Sequence, residues 1–534
     1  MSSCTRLLCF SLHLIALLGL WAMACAQHRP VEIAPDALLT AGEKFNCLSY
    51  APYHLPGQTP LNPDTQISRA QIEADLAALA SVTHCVRIYA VNQGLEVVPE
   101  VARELGLKVL LGAWVGYEAA PNRKELETAI ALAKAYPDVV RGLVVGNEVM
   151  LRGEQSEAAL KALLDEARQR SPVPVTYADV WEFWLRHPDL VDSVDFITVH
   201  ILPYWEDEPV AVEAAVAHAA RVRQRVLERY GKPVLIGETG WPGAGRQRAG
   251  SKPGKVEEAR YLYNFVREAR RQGWDYNLIE AIDQPWKRDL EGTVGGYWGV
   301  FDADLQAKFP LHAAFSVTPR PSLLPLLAAG ALGILALAAL YLALYLKKYL
   351  PLPDFLSVAN MLVTGAWIGS ALLFIGEHGI MAYRNLWEWS ALGLVAIMGA
   401  AFCAGQMLLP PPDNSDSRHA PAHSALSALA LAILLAAFIA AVLLLLDPRY
   451  RDFPVWLYLL PLPALLALPV HMPHKTEWMR IPLSAALLMC GLGSALQETG
   501  NNEAYVWAAL CLLLALAGLR GFFHRRRTDK KGDV

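Results

Sequence analysis

Most of the usual signatures of catalytic chemistry are missing from this chain. No C-x-x-C or H-E-x-x-H spacing is present, so the common structural-zinc and zincin patterns are excluded. No G-x-S-x-G elbow supplies a serine nucleophile, and no G-x-G-x-x-G loop follows the first strand candidate, as a dinucleotide-binding sheet would require. Excess charge of either sign is missing too. With 47 Lys and Arg against 51 Asp and Glu, the net charge of −4 gives no reason to expect a nucleic-acid partner. Cysteine is scarce where it could matter. Of eight cysteines, Cys4, Cys9 and Cys25 lie in or beside the N-terminal apolar stretch, and Cys403, Cys490 and Cys511 lie in later apolar runs. Only Cys47 and Cys85 remain, to be paired in an oxidising compartment or left as two buried thiols.

Apolar residues make up 54% of the 534, and they are unevenly spread. Residues 1–26, with Arg6 followed by LLCFSLHLIALLGLWAMACA, read as a signal peptide or an uncleaved anchor. Ala24 and Ala26 offer an A-x-A cleavage pattern, and the Leu of a lipoprotein box is absent. Residues 27–43 read as a linker, 44–317 as an exported domain and 318–322 as a second short linker. Residues 322–520 then carry seven apolar runs, near 322–346, 354–376, 386–409, 424–446, 454–470, 481–497 and 504–520. Most have the roughly 20 residues that a bilayer needs, and the fifth and sixth are short. Lys347 and Lys348, Lys475 and Arg480, and the basic tail 521–534 all fall on one side if the exported domain is on the other; Arg449 and Arg451 are the discordant pair. The expectation is a multi-pass inner-membrane protein with about seven spans, its exported domain in the periplasm and its C-terminus in the cytoplasm.

Within the exported part, apolar strand candidates at 45–53, 85–91, 108–114, 142–148, 173–179, 196–204, 233–239 and 277–286 alternate with helical stretches. Eight such repeats over about 290 residues predict an α/β fold, a (β/α)8 barrel followed by an α-helical membrane bundle. That fold collects its active site at the C-terminal ends of the strands. RGLVVGNEVM (141–150) and PVLIGETGWP (233–242) each end an apolar run in a glycine and bring a carboxylate, Glu148 and Glu238, to that mouth. Two carboxylates facing one pocket suit glycosidic-bond cleavage. One protonates the leaving oxygen, while the other attacks the sugar or activates water. Neither a metal nor a cofactor is called for.

Aromatic residues crowd the same strand ends: Tyr89, Trp114, Trp181, Trp184, Tyr204, Trp205, Trp241 and Trp286. Their faces suit the C–H faces of sugar rings. Arg87 and Lys287 can orient hydroxyls or tune a carboxylate; a structural ion pair is the plainer reading of Arg87.

GNE (146–148), ETGWP (238–242), SYAPY (49–53), RIY (87–89), DQPWK (283–287) and EGTVGGYWGVFDADLQAKF (291–309) together resemble glycoside hydrolase family 17, the β-1,3-glucanase family. The likeness spans residues 44–311. It implies a retaining mechanism with Glu148 as acid/base and Glu238 as nucleophile, Asn147 on the sugar 2-hydroxyl, and Tyr204 near the nucleophile. Tyr89, Trp205, Trp241, Asp283, Gln284, Trp286 and Lys287 complete the expected substrate-binding set. Two positions depart from the family pattern. Gln284 stands where many relatives have a glutamate, and Leu202 stands where a tyrosine is usual. Some bacterial members join this domain to several membrane spans and remodel periplasmic β-glucan by passing the cleaved glycan to a sugar acceptor. That implies a β-glucan oligosaccharide or polysaccharide and a lipid bilayer as partners, with a glucan synthase or exporter as a further contact. A plain endo- or exo-hydrolase is the alternative. A membrane nucleotide-sugar glycosyltransferase ranks behind it, because Asp302-Ala303-Asp304 is the lone D-x-D and no Q-x-x-R-W is present. A non-catalytic glucan sensor ranks last, since both carboxylates remain.

Overall fold

The computed structural model describes residues 3–409, 420–467 and 478–532. Two compact units make up the chain: residues 31–245 with 250–317, and residues 1–30 with 246–249 and 318–534.

The first unit is a closed barrel. Its strands are β2 (Leu48–Ser49), β3 (Cys85–Ile88), β4 (Lys108–Ala113), β5 (Val140–Asn147), β6 (Val175–Val180), β7 (Ile197–His200), β8 (Val234–Thr239) and β9 (Asp275–Leu278), each pairing in parallel with its neighbours until β9 meets β2. All eight strand candidates contribute, usually with a shorter hydrogen-bonded core than the apolar run. The helices between them follow their sequence signals. Ser68 and Ser156 cap Arg69–Ala80 and Glu157–Arg170 by accepting from Gln71 and Ala159 backbone N–H groups. Gly231 and Gly273 end Val212–Tyr230 and Lys255–Gln272 in the left-handed conformation.

The barrel interior is layered. Cys85, Leu110, Val144, Ala178 and Leu235, from five strands, form an apolar layer with Cys47, which directly precedes β2. Because side chains alternate along a strand, the residues two further on, among them Ser49 and Arg87, form the next layer toward the mouth. Cys47 and Cys85 are joined by a disulfide, which links β2 to β3 inside the wall. A second feature lies in the stretch read as a linker. Val31–Ala34 is a strand, β1, and pairs antiparallel with β10 (Phe315–Val317), so that Val31 lies opposite Val317. The four-residue run is too short for its periodicity to announce a strand.

The second unit is helical. Among the described residues, six helices are long and apolar enough to cross a membrane: Arg6–Gln27, Leu324–Leu346, Phe355–Ala382, Leu386–Leu408, Pro421–Leu446 and Asn502–Arg520. Five of the seven expected C-terminal runs are thus long helices, with the N-terminal segment as the sixth. The run at 454–470 is instead two short helices, Val455–Leu459 and Leu462–Ala467, broken at Leu460-Pro461. The break is supported from neighbouring helices, since Trp367 Nε1 and Cys403 Sγ both donate to the carbonyl of Leu460, at 2.9 and 3.4 Å. The run at 481–497 is the 18-residue helix Arg480–Gln497. Lys475 lies outside the described residues.

Small residues let the helices approach closely. A Cβ on Gly333 would fall 2.1 Å from the carbonyl oxygen of Gly365, and one on Gly369 would fall 1.9 Å from that of Ala329. Gly365-x-x-x-Gly369 is therefore a backbone-contact face of the pair Leu324–Leu346 and Phe355–Ala382. The N-terminal helix, Ser3–Gln27, is part of the same packing. Leu20 and Ala24 are buried in the bundle core, Arg6 pairs with Asp354, and the backbone N–H of Arg320 donates to the carbonyl of Gln27.

The disulfide closes a loop with a sequence separation of 38 residues. Loop-closure entropy assigns such a cross-link about 4 kcal/mol. Cys47→Ser should lower barrel stability by an amount of that order in denaturant titration, and reductant should do the same to the wild type but leave the variant unchanged.

Candidate active site

Both glycines that precede the glutamates are explained by the strand register. Along β5, Val144 pairs with Thr176, yet Asn147 pairs with Ala178, so three steps on β5 face two on β6. Along β8, Ile236 pairs with Val199, yet Glu238 pairs with His200, so two steps face one. Each strand therefore carries one extra residue just before its carboxylate. Such bulges re-aim the side chains that follow them. In β5 the irregularity includes Gly146 at φ +83°, where a Cβ would lie 2.8 Å from Val149 Cγ2. Glu148 itself sits at φ +52°, a left-handed conformation costly for a residue with a Cβ. In β8 the extra residue is Gly237. A Cβ there would fall 2.3 Å from Thr198 Cγ2, so only glycine fits the barrel interior at that level.

The re-aimed carboxylates meet. Glu148 and Glu238 each bring an oxygen within 4.8 Å of the other, and a ring nitrogen of His200 lies within the same distance of both. Glu238 is buried, while about a fifth of the Glu148 side chain is open.

Arg87 holds this cluster together from below. Its guanidinium is 1% exposed. Nη2 donates to Asn147 Oδ1 at 2.6 Å. Nη1 donates to the carbonyl of Gly237 at 2.7 Å and lies 3.3 Å from Glu238 Oε1 and 3.2 Å from His200 Nε2. A second donor chain reaches the same oxygen. Asn277 Nδ2 donates to Ser49 Oγ at 2.7 Å, Ser49 Oγ lies 2.9 Å from the Tyr89 hydroxyl, and Tyr89 donates to Glu238 Oε1 at 2.9 Å. Every hydrogen in that chain points toward the carboxylate, which fixes its orientation. Glu148 is held differently, with Oε1 2.8 Å from His200 Nδ1. Burial pushes the Glu148 carboxyl up, but its interaction with His200, with the charges of Arg152 and Arg87, outweighs it and holds it below the usual range.

Three donor atoms so close could in other surroundings bind a metal ion. Here the Arg87 guanidinium already stands against Glu238 Oε1 and His200 Nε2, so the positive charge of the cluster is supplied by the protein.

The remaining expected residues divide into two groups. Tyr89 and Asn147 join the cluster as described. Trp205 and Trp286 are half-buried at the strand ends, Trp205 edge-on to Tyr204 and Trp286 edge-on to Tyr53, with Trp286 Nε1 donating to Gln284 Oε1 at 2.8 Å. Tyr204 and Trp241 are packed inside, edge-on to one another, and Trp241 Nε1 donates to the carbonyl of Lys252. Neither ring offers an open face on which a sugar could stack. Asp283 is buried against Lys308 at 2.7 Å, and Gln284 spends its amide on the carbonyls of Ala51 and Ile282. Lys287 donates to both oxygens of buried Glu280 at 3.0 Å. Burial pushes Glu280 up to about 7, against the opposing pull of Lys287.

His200, Ser49, Asn277 and Glu280 are the members that sequence reading passed over. A signal existed for His200. It lies two residues after Thr198, whose hydroxyl meets that of Thr176 inside the barrel, so the same strand face carries His200 inward one level higher.

Removing Arg87 would leave the Glu238 charge buried without its cation. Arg87→Met should destabilise the barrel by about 3–5 kcal/mol, measured as a shift of the denaturation midpoint; an unchanged midpoint would contradict this role.

Residues 47–299 match the family model described as the BtgE/BtgC glycoside hydrolase domain. A curated relative is the "Probable beta-glucosidase btgE" of Aspergillus fumigatus, 28% identical over 266 residues, covering 48% of this chain and 45% of that protein. Another is the "Glucan 1,3-beta-glucosidase" of Arthroderma benhamiae, 28% identical over 274 residues, covering 46% of this chain and 86% of that protein. The chain spans about half the length of the first of these. Among solved structures, the glycoside hydrolase family 17 β-1,3-glucanosyltransferase from Rhizomucor miehei is 25% identical with a TM-score of 0.44, covering 51% of this chain and 98% of that one.

Proposed function

We propose that residues 47–299, which match the BtgE/BtgC glycoside hydrolase domain, form a retaining enzyme acting on β-1,3-glucan. The observation that carries the mechanism is the approach of Glu148 and Glu238 to within 4.8 Å, oxygen to oxygen. Retaining enzymes hold their carboxyl groups about 5–5.5 Å apart, and inverting enzymes need about 6.5–9.5 Å to seat a water between them. The names of the curated relatives supply the substrate class, β-glucosides and β-1,3-glucan.

The roles follow from the surroundings. Glu238 is buried under two converging sets of donors that hold its carboxylate in one orientation, as a nucleophile requires. Its side-chain hydrogen bonds land on Oε1, which leaves Oε2 to form the bond to the anomeric carbon. Glu148 is the more open of the pair, as suits a group that gives its proton to the departing sugar oxygen and takes one from the incoming acceptor. Asn147 accepts from Arg87 through Oδ1, so its Nδ2 is the donor left for a sugar hydroxyl beside the anomeric carbon. Trp205 and Trp286 are the stacking candidates, because they keep part of their rings open. The glycosyl-enzyme is resolved by a sugar acceptor, giving a transferred or branched glucan, or by water.

The six apolar helices, the disulfide and the loop charges support an inner-membrane protein with its barrel in the periplasm. The N-terminal helix belongs to that assembly permanently. Its A-x-A stretch is helical, and Ala24 is buried in the bundle core.

Incubating the purified protein with β-1,3-linked glucose oligosaccharides tests the reading. Products longer than the donor mark transfer, and shorter products alone mark hydrolysis. Glu238→Ala and Glu148→Gln should each remove both by 10³-fold or more; survival of either variant at wild-type rate would sink the assignment. A tag placed before Met1 should remain on the membrane-inserted protein, and its loss would mean that the helix is cleaved.

A further inference from the structure

His200 stands between the two carboxylates, wholly buried, with one ring nitrogen turned toward each. Nδ1 is 2.8 Å from Glu148 Oε1; Nε2 is 3.2 Å from Arg87 Nη1 and 3.5 Å from Glu238 Oε1. The guanidinium fixes the tautomer. Arg87 has only hydrogens to offer, so the tautomer that suits it presents the Nε2 lone pair. The ring hydrogen is then on Nδ1 and points at Glu148.

We propose that His200, oriented by Arg87, is a positioning residue that sets the proton affinity of Glu148 and thereby its readiness to act as base on the acceptor. This rests on the assignment of Glu148 as acid/base. In the first half of the reaction the glycosidic C1–O bond breaks, its oxygen takes the Glu148 proton and leaves as an alcohol, and Glu238 bonds to C1, so negative charge passes from Glu238 to Glu148. His200 meets that charge with a hydrogen bond already in place. In the second half the acceptor oxygen bonds to C1, its proton goes to Glu148, and the C1–Glu238 bond breaks, returning the charge to Glu238 beside Arg87 and Tyr89. The His200–Arg87 unit touches both ends of this transfer, so neither carboxylate need await rearrangement of water.

The charged and titratable groups around Glu148 come from several elements: Arg87 from β3, Arg152 from the helix Val149–Arg152, Asp179 and Tyr177 from β6, Glu238 from β8, and Glu291 beyond β9. His200 is the neighbour whose ring N–H reaches the carboxylate directly. Arg152 spends its donors on the carbonyls of Asn147 and Val115 and on Glu154.

Two amide substitutions separate donation from space-filling. His200→Asn puts an amide N–H near the place of Nδ1, whereas His200→Gln puts its amide near Nε2, by Arg87. With the full-length protein and a β-1,3-linked glucose oligosaccharide as donor, the alkaline limb of kcat/KM reports the protonated acid/base. Losing a donor to the charged form raises the pKa of Glu148, so His200→Gln should move that limb up by about one pH unit, and His200→Asn should keep it near the wild-type position. A limb that stays put in the Gln variant, or moves equally in both, overturns the proposal. Glu148→Gln is the separate control. If it still cleaves this donor at the wild-type rate, the assignment of Glu148 fails, whatever the His200 variants do.

Discussion

The charge of Arg87 is buried where no water can solvate it, and the site is arranged around that fact. Taking a guanidinium out of water is costly, and the cost is offset only when its donors find good partners. Nη1 and Nη2 of Arg87 find them on three strands at once: a carbonyl and a carboxylate on β8, an amide oxygen on β5 and a ring nitrogen on β7, while Nε is left without one. The requirement works in both directions. Arg87 must have those partners, and the bulged ends of β5 and β8 must be where it can reach them. Gly146 and Gly237 let the backbone bend into those positions, and the left-handed turn at Glu148 is kept by the contacts around it.

The sequence conveyed the broad design well. Hydrophobic runs alternating with helical stretches marked the eight strands, and a glycine before each glutamate marked the two residues that meet. The local detail was less legible, for physical reasons. A strand pattern reports which residues are apolar but not the register between neighbours, so neither bulge could be read. Residue type announces an aromatic ring but not its exposure, so Tyr204 and Trp241 looked like sugar platforms when they are part of the packing beneath. Asp283 and Gln284 were expected at the site from the DQPWK resemblance, and each is committed to a partner, Lys308 and the carbonyl of Ala51. Arg87 was read as an ion-pair partner, and it is one; its partner is the proposed nucleophile.

The helical unit follows a different rule. Its helices approach one another backbone to backbone at small residues. Gly333, Gly365 and Gly369 give that approach, and Trp367 supplies a donor where Pro461 interrupts a helix. The apolar run at 454–470 looked like a short span because hydropathy does not register such a break. Its two pieces are kept by their neighbours.

The pairing of β1 with β10 has a mechanical meaning. Val31 and Val317, the first and last residues of the barrel unit, lie opposite one another in a two-stranded ribbon. Tension drawn through both connecting segments therefore falls first on this clasp, which opens pair by pair like a zip. A load on the segments before Val31 and after Val317 meets the ribbon before it meets the strands that carry the carboxylates.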